Sequence, residues 1–137
     1  MLKRKGFSLL ELAVAAIVLG AILAVVLKFY AAMAAGELAV RHRELAAREA
    51  ANVLERLWQW PYEQLTAEKA REVRLGEEAR EGLPGGELAV EISQPAQDPG
   101  AKRMVVEVRW RERPDAPPSP VRLVAWRYRN PAKPEAR

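Results

Sequence analysis

Cysteine is absent from this chain of 137 residues, and histidine occurs once. The lack of thiols excludes a disulfide framework, a thiolate metal site and a lipidated cysteine anchor. One histidine, His42, cannot form a histidine cluster, and we expect it to be structural. Ser8, Ser93 and Ser119 stand in no nucleophile context, and Gly85-Gly86 is too short for a phosphate-binding loop. The sequence therefore predicts no enzyme, no catalytic residue and no cofactor.

A metal site is also not expected, although acidic residues gather in one region. Carboxylate oxygens are the ligands that calcium prefers. The acids here do not alternate as they do in a metal-binding loop, and Arg80 stands among them. We therefore predict no metal at the four candidates, which are Glu77, Glu78, Glu81 and Glu87.

Proline is absent before Pro61, so nothing in the first 60 residues forces a helix to stop. We expect one continuous helix over residues 7–60, about 80 Å long at 1.5 Å per residue. Gly36 is the expected point of flexing, since an interior glycine costs about 1 kcal/mol relative to alanine. Pro61 should end the helix, because the residue before a proline is pushed out of the α region.

Charge is absent from residues 12–27, which also lack side-chain hydrogen-bonding groups. The apolar run reaches from Phe7 to Leu27, and about 20 such residues span the hydrocarbon core of a bilayer. We place a transmembrane segment at about residues 7–30. Glu11 lies inside its start, where an unpaired acid costs roughly 2.5 kcal/mol or more. Glu11 is therefore either a functional intramembrane acid or a side chain that reaches the headgroup layer.

Three cations, Lys3, Arg4 and Lys5, precede the apolar run, and by the positive-inside rule they lie in the cytoplasm. Lys28 weakens this asymmetry, but it can extend to the opposite interface. Without these three cations the net charge falls from +4 to +1. The balance that remains gives no case for nucleic acid as a partner.

The stretch Gly6-Phe7-Ser8-Leu9-Leu10-Glu11, after a short basic leader and before an apolar helix, resembles the N-terminus of type IV pilins and type II secretion pseudopilins. The likeness covers residues 1–60. It implies that prepilin peptidase removes residues 1–6 by cutting between Gly6 and Phe7. It also implies N-methylation of Phe7 and a role for Glu11 in assembly, by pairing with the N-terminus of a neighbouring subunit.

The resemblance implies a structural subunit, in particular a minor pseudopilin of a type II secretion pseudopilus. The missing calcium pattern, the lack of cysteine and the small domain favour a minor subunit, and Glu11 disfavours the tip subunit that typically lacks this acid. Its implied partners are the peptidase, other pilin or pseudopilin subunits, the inner-membrane assembly platform and membrane lipid. The implied location is the bacterial inner membrane, crossed once with the C-terminal domain in the periplasm, and then the pseudopilus or pilus.

Three alternatives remain. The first is a minor type IV pilin of a pilus system. The second is a single-pass anchored binding module that uses its sheet to bind a periplasmic partner. The third is a secreted domain cleaved near Ala34, since Ala32-Met33-Ala34 offers a signal-peptidase pattern. The apolar segment is longer than in ordinary signal peptides and contains Glu11, which disfavours the third alternative.

Small residues recur every four positions in the apolar segment, at Ala16, Gly20 and Ala24. Such spacing lets membrane helices approach closely and predicts a helix-packing face. From Glu37 onward the helix becomes amphipathic, and Glu37/Arg41 and Glu44/Arg48 are candidate ion pairs at i,i+4. The expected apolar stripe follows three- and four-residue spacing through Leu38, His42, Leu45/Ala46, Ala50, Val53/Leu54, Leu57 and Trp60.

Residues 61–130 are predicted to form a small domain that packs on this stripe. We expect an aromatic cluster of Trp58, Trp60, Tyr62 and Leu65 and a short helix over residues 67–73 capped by Thr66. The segment rich in Gly and Glu that follows this helix, including residues 82–86, reads as a loop. Period-two alternation predicts three strands, around residues 88–92, 104–111 and 123–128, joined as an antiparallel meander. One face should pack on the helix, and the other should carry Arg and Glu to water. Residues 131–137 read as a disordered tail.

The predicted fold class is α+β, with a long N-terminal helix against a small antiparallel sheet. The pattern of elements is readable from the residues, whereas the packing of sheet on helix is what the resemblance to pilins implies.

Overall fold

The computed structural model describes Gly6 and residues 8–129. The basic leader residues, Phe7 and the predicted disordered tail lie outside the described residues. The chain divides into two compact units, Met1–Ala39 and Val40–Arg137. The second unit therefore begins inside the long helix rather than at residue 61, because the outer half of the helix supplies part of the core.

Helix α1 runs from Leu9–Gln59, an uninterrupted 51 residues that include Gly36. The predicted continuous helix is confirmed, and it ends just before Pro61. A 3-10 turn, Tyr62–Gln64, follows directly. No glycine or side chain breaks the hydrogen-bonded ladder, so the absence of proline correctly predicted the extent of the element.

In the second unit, the predicted stripe of α1 is buried. His42, Ala46, Ala50, Val53 and Leu57 form its innermost row, and Leu45, Leu54 and Trp60 pack against the core from its flanks. The prediction was wrong for Leu38, which belongs to the first unit and is 52% exposed.

The two predicted i,i+4 ion pairs were also wrong for the residues that the structure describes. Arg48 lies 3.8 Å from Glu78 of another helix instead of pairing with Glu44. Exposed side chains of this kind gain little from pairing along one helix, so a longer-range partner competes easily.

Three strands form one antiparallel sheet in the order β1-β2-β3, with β1 at Glu87–Ser93, β2 at Ala101–Trp110 and β3 at Ser119–Tyr128. The α+β class and the meander are confirmed. The predicted loop after β2 was too long, since β3 already begins at Ser119 and includes Pro120. A proline is tolerated there because β3 is an edge strand. The nitrogen of Pro120, which has no N–H, can therefore face away from β2 without the loss of a hydrogen bond.

The inner face of the sheet builds the core with α1. Met104, Val106, Val108 and Trp110 of β2 are buried there, and Val121, Leu123 and Ala125 of β3 pack against them. The outer face was predicted to be polar, and this is wrong for β3. Val124, Trp126 and Tyr128 lie on that face and are 47%, 44% and 64% exposed.

Two short helices connect α1 to the sheet. Helix α2, Ala67–Ala70, starts at Thr66, whose hydroxyl accepts a hydrogen bond from the Lys69 N–H as predicted, although the helix is shorter than expected. Helix α3, Glu77–Gly82, occupies a stretch that its Gly and Glu content assigned to a loop. The Gly76 N–H, at the start of α3, donates to Glu49 Oε1 at 2.7 Å. Burial of Glu49 against this helix start is a contact between distant residues, which composition cannot reveal.

Candidate functional site

Ser8 caps the start of α1. Its hydroxyl oxygen accepts hydrogen bonds from the N–H groups of Leu10 at 3.2 Å and Glu11 at 3.4 Å. The Leu12 N–H donates to the Ser8 carbonyl at 3.1 Å, which closes the first helical turn. Sequence reasoning overlooked this role, although Ser-x-x-Glu before an apolar run is a known signature of a helix start.

Glu11 lies in the first turn of α1 and is exposed. An acid at this position interacts favourably with the helix dipole, typically by about 0.3–1 kcal/mol. No side-chain hydrogen bond or ion pair engages its carboxylate within residues 8–129. An acid at this position thus stabilises the helix start, and no described residue pairs with its carboxylate.

Gly6 and Phe7 flank the predicted cleavage bond. Gly6 is exposed, and a side chain there would meet nothing within 4 Å. The bond is therefore accessible from the glycine side, whereas the predicted methylation at Phe7 falls outside the described residues.

The small-residue face and the acid lie on opposite sides of α1. Nine residues separate Glu11 from Gly20, and at about 100° per residue this separation is two and a half turns. Ala16 and Ala24 flank Gly20, where an added Cβ would meet nothing within 4 Å. Larger side chains border Glu11 on its own side, including Val14, Val18 and Ile22. One face can therefore receive a helix closely, while the other presents bulk and a charge.

No other described residue covers the apolar side chains between residues 9 and 33 of α1. From Leu9 to Met33 the large hydrophobic residues are all exposed. The described residues contain one helix long and apolar enough to cross a membrane, and it is this one. Exposed apolar surface of such extent is unusual for a soluble monomer and indicates contact with lipid or with other proteins.

In the second unit, His42 has a structural partner, as expected. Its Nδ1 lies 2.8 Å from Glu112 Oε2, and the Trp110 indole N–H donates to Glu112 Oε1 at 2.7 Å. The hydrogen bond from Trp110 is the main cause that holds the pKa of Glu112 below its ordinary value, with a further contribution from His42 and opposition from burial. A carboxylate can only accept, so the first contact places a proton on Nδ1.

Two basic side chains hold the turn after α1 by donating hydrogen bonds to its backbone carbonyls. Arg127 Nη1 donates to the carbonyls of Trp58 and Trp60, both at 2.6 Å. Lys102 Nζ donates to the carbonyls of Tyr62 at 2.7 Å and Leu65 at 2.8 Å. Burial is the main cause that lowers the pKa of Lys102. The predicted aromatic cluster is only partly correct, since Leu65 is buried but Trp58 is 49% exposed.

The acidic region around α3 has no metal-binding geometry. Among Gly6 and residues 8–129, no group of three or more His, Cys, Asp or Glu side chains is placed to hold a metal ion. Glu77, Glu78, Glu81 and Glu87 are all exposed. Of these, Glu78 lies near a cation, Arg48.

No family model matches this chain, and no curated protein or solved structure matches it. The candidate site is therefore defined by the chain's own features. These are an accessible Gly6, a capped helix start, a carboxylate without a partner among the described residues and an exposed apolar helix with one small-residue face.

Proposed function

We propose that this protein is a structural subunit of an extracytoplasmic filament, specifically a minor pseudopilin of a type II secretion pseudopilus. Prepilin peptidase would cut between Gly6 and Phe7, and methylation of the new amine would follow. The observation that carries the proposal is the N-terminal part of α1. A long apolar surface stands uncovered there, and its one acid, Glu11, lies in the first turn after the glycine.

The assembly mechanism follows from charge. Cleavage frees the Phe7 amine, and an N-methylated amine stays basic and positively charged at neutral pH. Glu11 of one subunit can pair with this amine of a neighbour at similar membrane depth. A buried charge left without its partner costs about 3–5 kcal/mol, so a wrong stagger between subunits is penalised. The pair sets the register, and the face of Ala16, Gly20 and Ala24 admits a closely packed helix.

The location follows from the same segment. The cations Lys3, Arg4 and Lys5 would remain in the cytoplasm, and the second unit would lie in the periplasm. The subunit would wait in the inner membrane as a single-pass protein. It would then leave the membrane with the growing filament, through contacts with other subunits and with the assembly platform.

Two alternatives share part of this reasoning. A minor type IV pilin would use the same residues, and genes for a secretion channel beside this one, rather than for a retraction motor, would distinguish the two systems. An anchored binding module is favoured by the exposed Val124, Trp126 and Tyr128 of the sheet. In that case Glu11 would be incidental and the leader would persist in the presence of the peptidase.

Glu11→Gln tests the proposed pairing, because glutamine also suits the third position of a capping box but carries no charge. We expect at least a tenfold fall in the fraction of this chain recovered in sheared filaments or in the cross-linked subunit complex, measured in a host with its assembly machinery. Loss of a charge pair worth about 3 kcal/mol corresponds to more than a hundredfold in an equilibrium constant.

Ser8→Ala is the matched control. It removes the helix cap, at a cost of about 0.5–2 kcal/mol, and keeps the carboxylate. We expect it to assemble nearly as well as the unmodified chain, with cleavage of both variants checked by gel mobility. Normal incorporation of Glu11→Gln would remove Glu11 from the mechanism.

A further inference from the structure

We propose that the outer edge of β3 is a docking site for an extended segment of a partner protein in which acidic and apolar side chains alternate. The segment would add to the sheet as a fourth strand. This site lies within the second unit and does not depend on the function proposed for α1.

Among the residues that the structure describes, no strand pairs with β3 on the side away from β2. The Arg129 N–H donates to the Gly100 carbonyl at 2.8 Å. These residues lie opposite each other, because Ala101 faces Tyr128 in the next position of the register. Residues in a hydrogen-bonded pair direct their N–H and C=O groups at each other, and those between them point outward. The odd-numbered residues of β3 therefore face β2, and the even-numbered residues face the free edge.

Pro120 agrees with this assignment, because it is even-numbered and has no N–H to offer to β2. The remaining outward N–H groups belong to Arg122, Val124, Trp126 and Tyr128. None of them forms a hydrogen bond with another part of residues 8–129. Such a row of unpaired donors and acceptors is a template for strand addition.

The same residues present an apolar strip beside that edge. Val124, Trp126 and Tyr128 are all exposed, and Val105 of the neighbouring strand lies opposite Val124 and is buried. Proteins commonly protect edge strands with proline and charge. Here Pro120 and Arg122 protect only the first part of β3, which leaves residues 124–128 as an apolar edge. Main-chain hydrogen bonds supply affinity in strand addition, and alternate side chains supply specificity.

Charge identifies the kind of partner. Arg122 is the charged side chain on the exposed face of β3, whereas Arg127 lies on the inner face, and Arg129 follows the strand. Arg122 is half exposed, and the ion pair that it makes is long, with its Nε 3.9 Å from Glu107 Oε2. An incoming strand with acids would complement this edge. The β3 strand of a second copy would bring arginine against arginine, which is unfavourable for directly opposed residues.

A second copy could instead offer β1, whose exposed side carries Glu87 and Glu91. However, α2 packs against β1 in the same chain. We therefore assign the site to a different protein and treat pairing of β1 with β3 between copies as an outcome that would contradict the assignment.

The test uses the full chain in lipid nanodiscs and a fluorescent, acetylated peptide of ten residues that alternates valine and glutamate. Fluorescence polarisation measures binding, and empty nanodiscs give the background. We expect the valine–glutamate peptide to bind at least ten times more tightly than a matched valine–lysine peptide. N-methylation of alternate peptide nitrogens should weaken binding at least tenfold, because it removes the main-chain donors.

Two variants of the chain test whether the peptide binds at the edge of β3. Arg122→Glu should weaken binding of the acidic peptide at least tenfold, whereas Glu91→Lys on β1 should leave it unchanged. The proposal is overturned if the acidic peptide does not bind up to about 1 mM, the concentration that corresponds to very weak association. Equal binding of the lysine or N-methylated peptide would also overturn it. So would concentration-dependent self-association in sedimentation that Glu91→Lys abolishes, since β1 of a second copy would then be the occupant.

Discussion

At the scale of single residues, Glu112 has the clearest measurable role in the second unit. It accepts hydrogen bonds from Trp110 of β2 and from His42 of α1, and so links the sheet to the helix. The hydrogen bond from Trp110, helped by His42, lowers the pKa of Glu112 from its ordinary value of 4.5. An acid whose pKa is lower in the folded protein stabilises the fold above its unfolded pKa. That stability is lost as the pH falls through the folded pKa.

We therefore expect Glu112→Gln to change the pH dependence of the free energy of unfolding. At about pH 6 to 7 the unmodified chain should be more stable than the variant, and the difference should shrink as the pH is lowered below about 4.5. Denaturant titrations at several pH values, followed by tryptophan fluorescence, measure this difference. Asp115→Asn is the control, since Asp115 is exposed and has no ion pair in the described residues. A constant difference at all pH values would contradict the role given to Glu112.

Residue roles that depend on a local pattern were predictable, and those that depend on distant contacts were not. The Thr66 cap was correctly expected, since a hydroxyl before a short helical run is a local signal. The Ser8 cap was equally local, since Ser8 and Glu11 have the spacing of a capping box, but it was not predicted. Glu49 could not have been found, because its partner, Gly76, lies 27 residues away in the sequence.

At the scale of elements, Arg127 joins β3 to the end of α1. The last carbonyls of a helix lack partners within the helix, and Arg127 of β3 donates to the carbonyl of Trp58 in the last turn of α1 and to that of Trp60 just after it. This contact also explains why apolar side chains of β3 lie on the outer face of the sheet. With Arg127 on the inner side of β3, strand alternation turns Trp126 and Tyr128 outward.

Arg127→Gln should lower the free energy of unfolding by about 1–3 kcal/mol, because it removes charge-assisted hydrogen bonds to two carbonyls. Arg122→Gln is the matched control on the same strand, and its long ion pair with Glu107 predicts a change of less than about 1 kcal/mol. Denaturant unfolding followed by near-ultraviolet circular dichroism measures both. Equal effects of the two substitutions would contradict the capping role of Arg127.

The elements themselves were largely readable. Alternation located all three strands, and Pro61 located the end of α1. Helix α3 was missed because glycines stand on both sides of it and because six residues are too few for a helix that is stable by itself, although Glu, Ala and Arg favour a helix. It depends on Glu49 at its start and on the burial of Ala79. The sequence also could not show which face of β3 turns inward, because apolar residues occupy both of its faces.

At the scale of the whole molecule, the two units differ in what they bury. The second unit has a core of its own, and its buried polar side chains, His42 and Glu49, have partners. Among the described residues of the first unit, the large apolar side chains are all exposed, and the Glu11 carboxylate has no ion pair. The proposed function accounts for this division, because lipid and other subunits would then cover the first unit.

The central claim is that the chain is processed at its N-terminus and assembled through α1. Mass spectrometry of the protein purified from a host with prepilin peptidase tests it most directly. We expect a mature chain that begins at Phe7 and carries one added methyl group on its amine. A chain that still begins at Met1, or one that begins at Ala35, would contradict cleavage between Gly6 and Phe7.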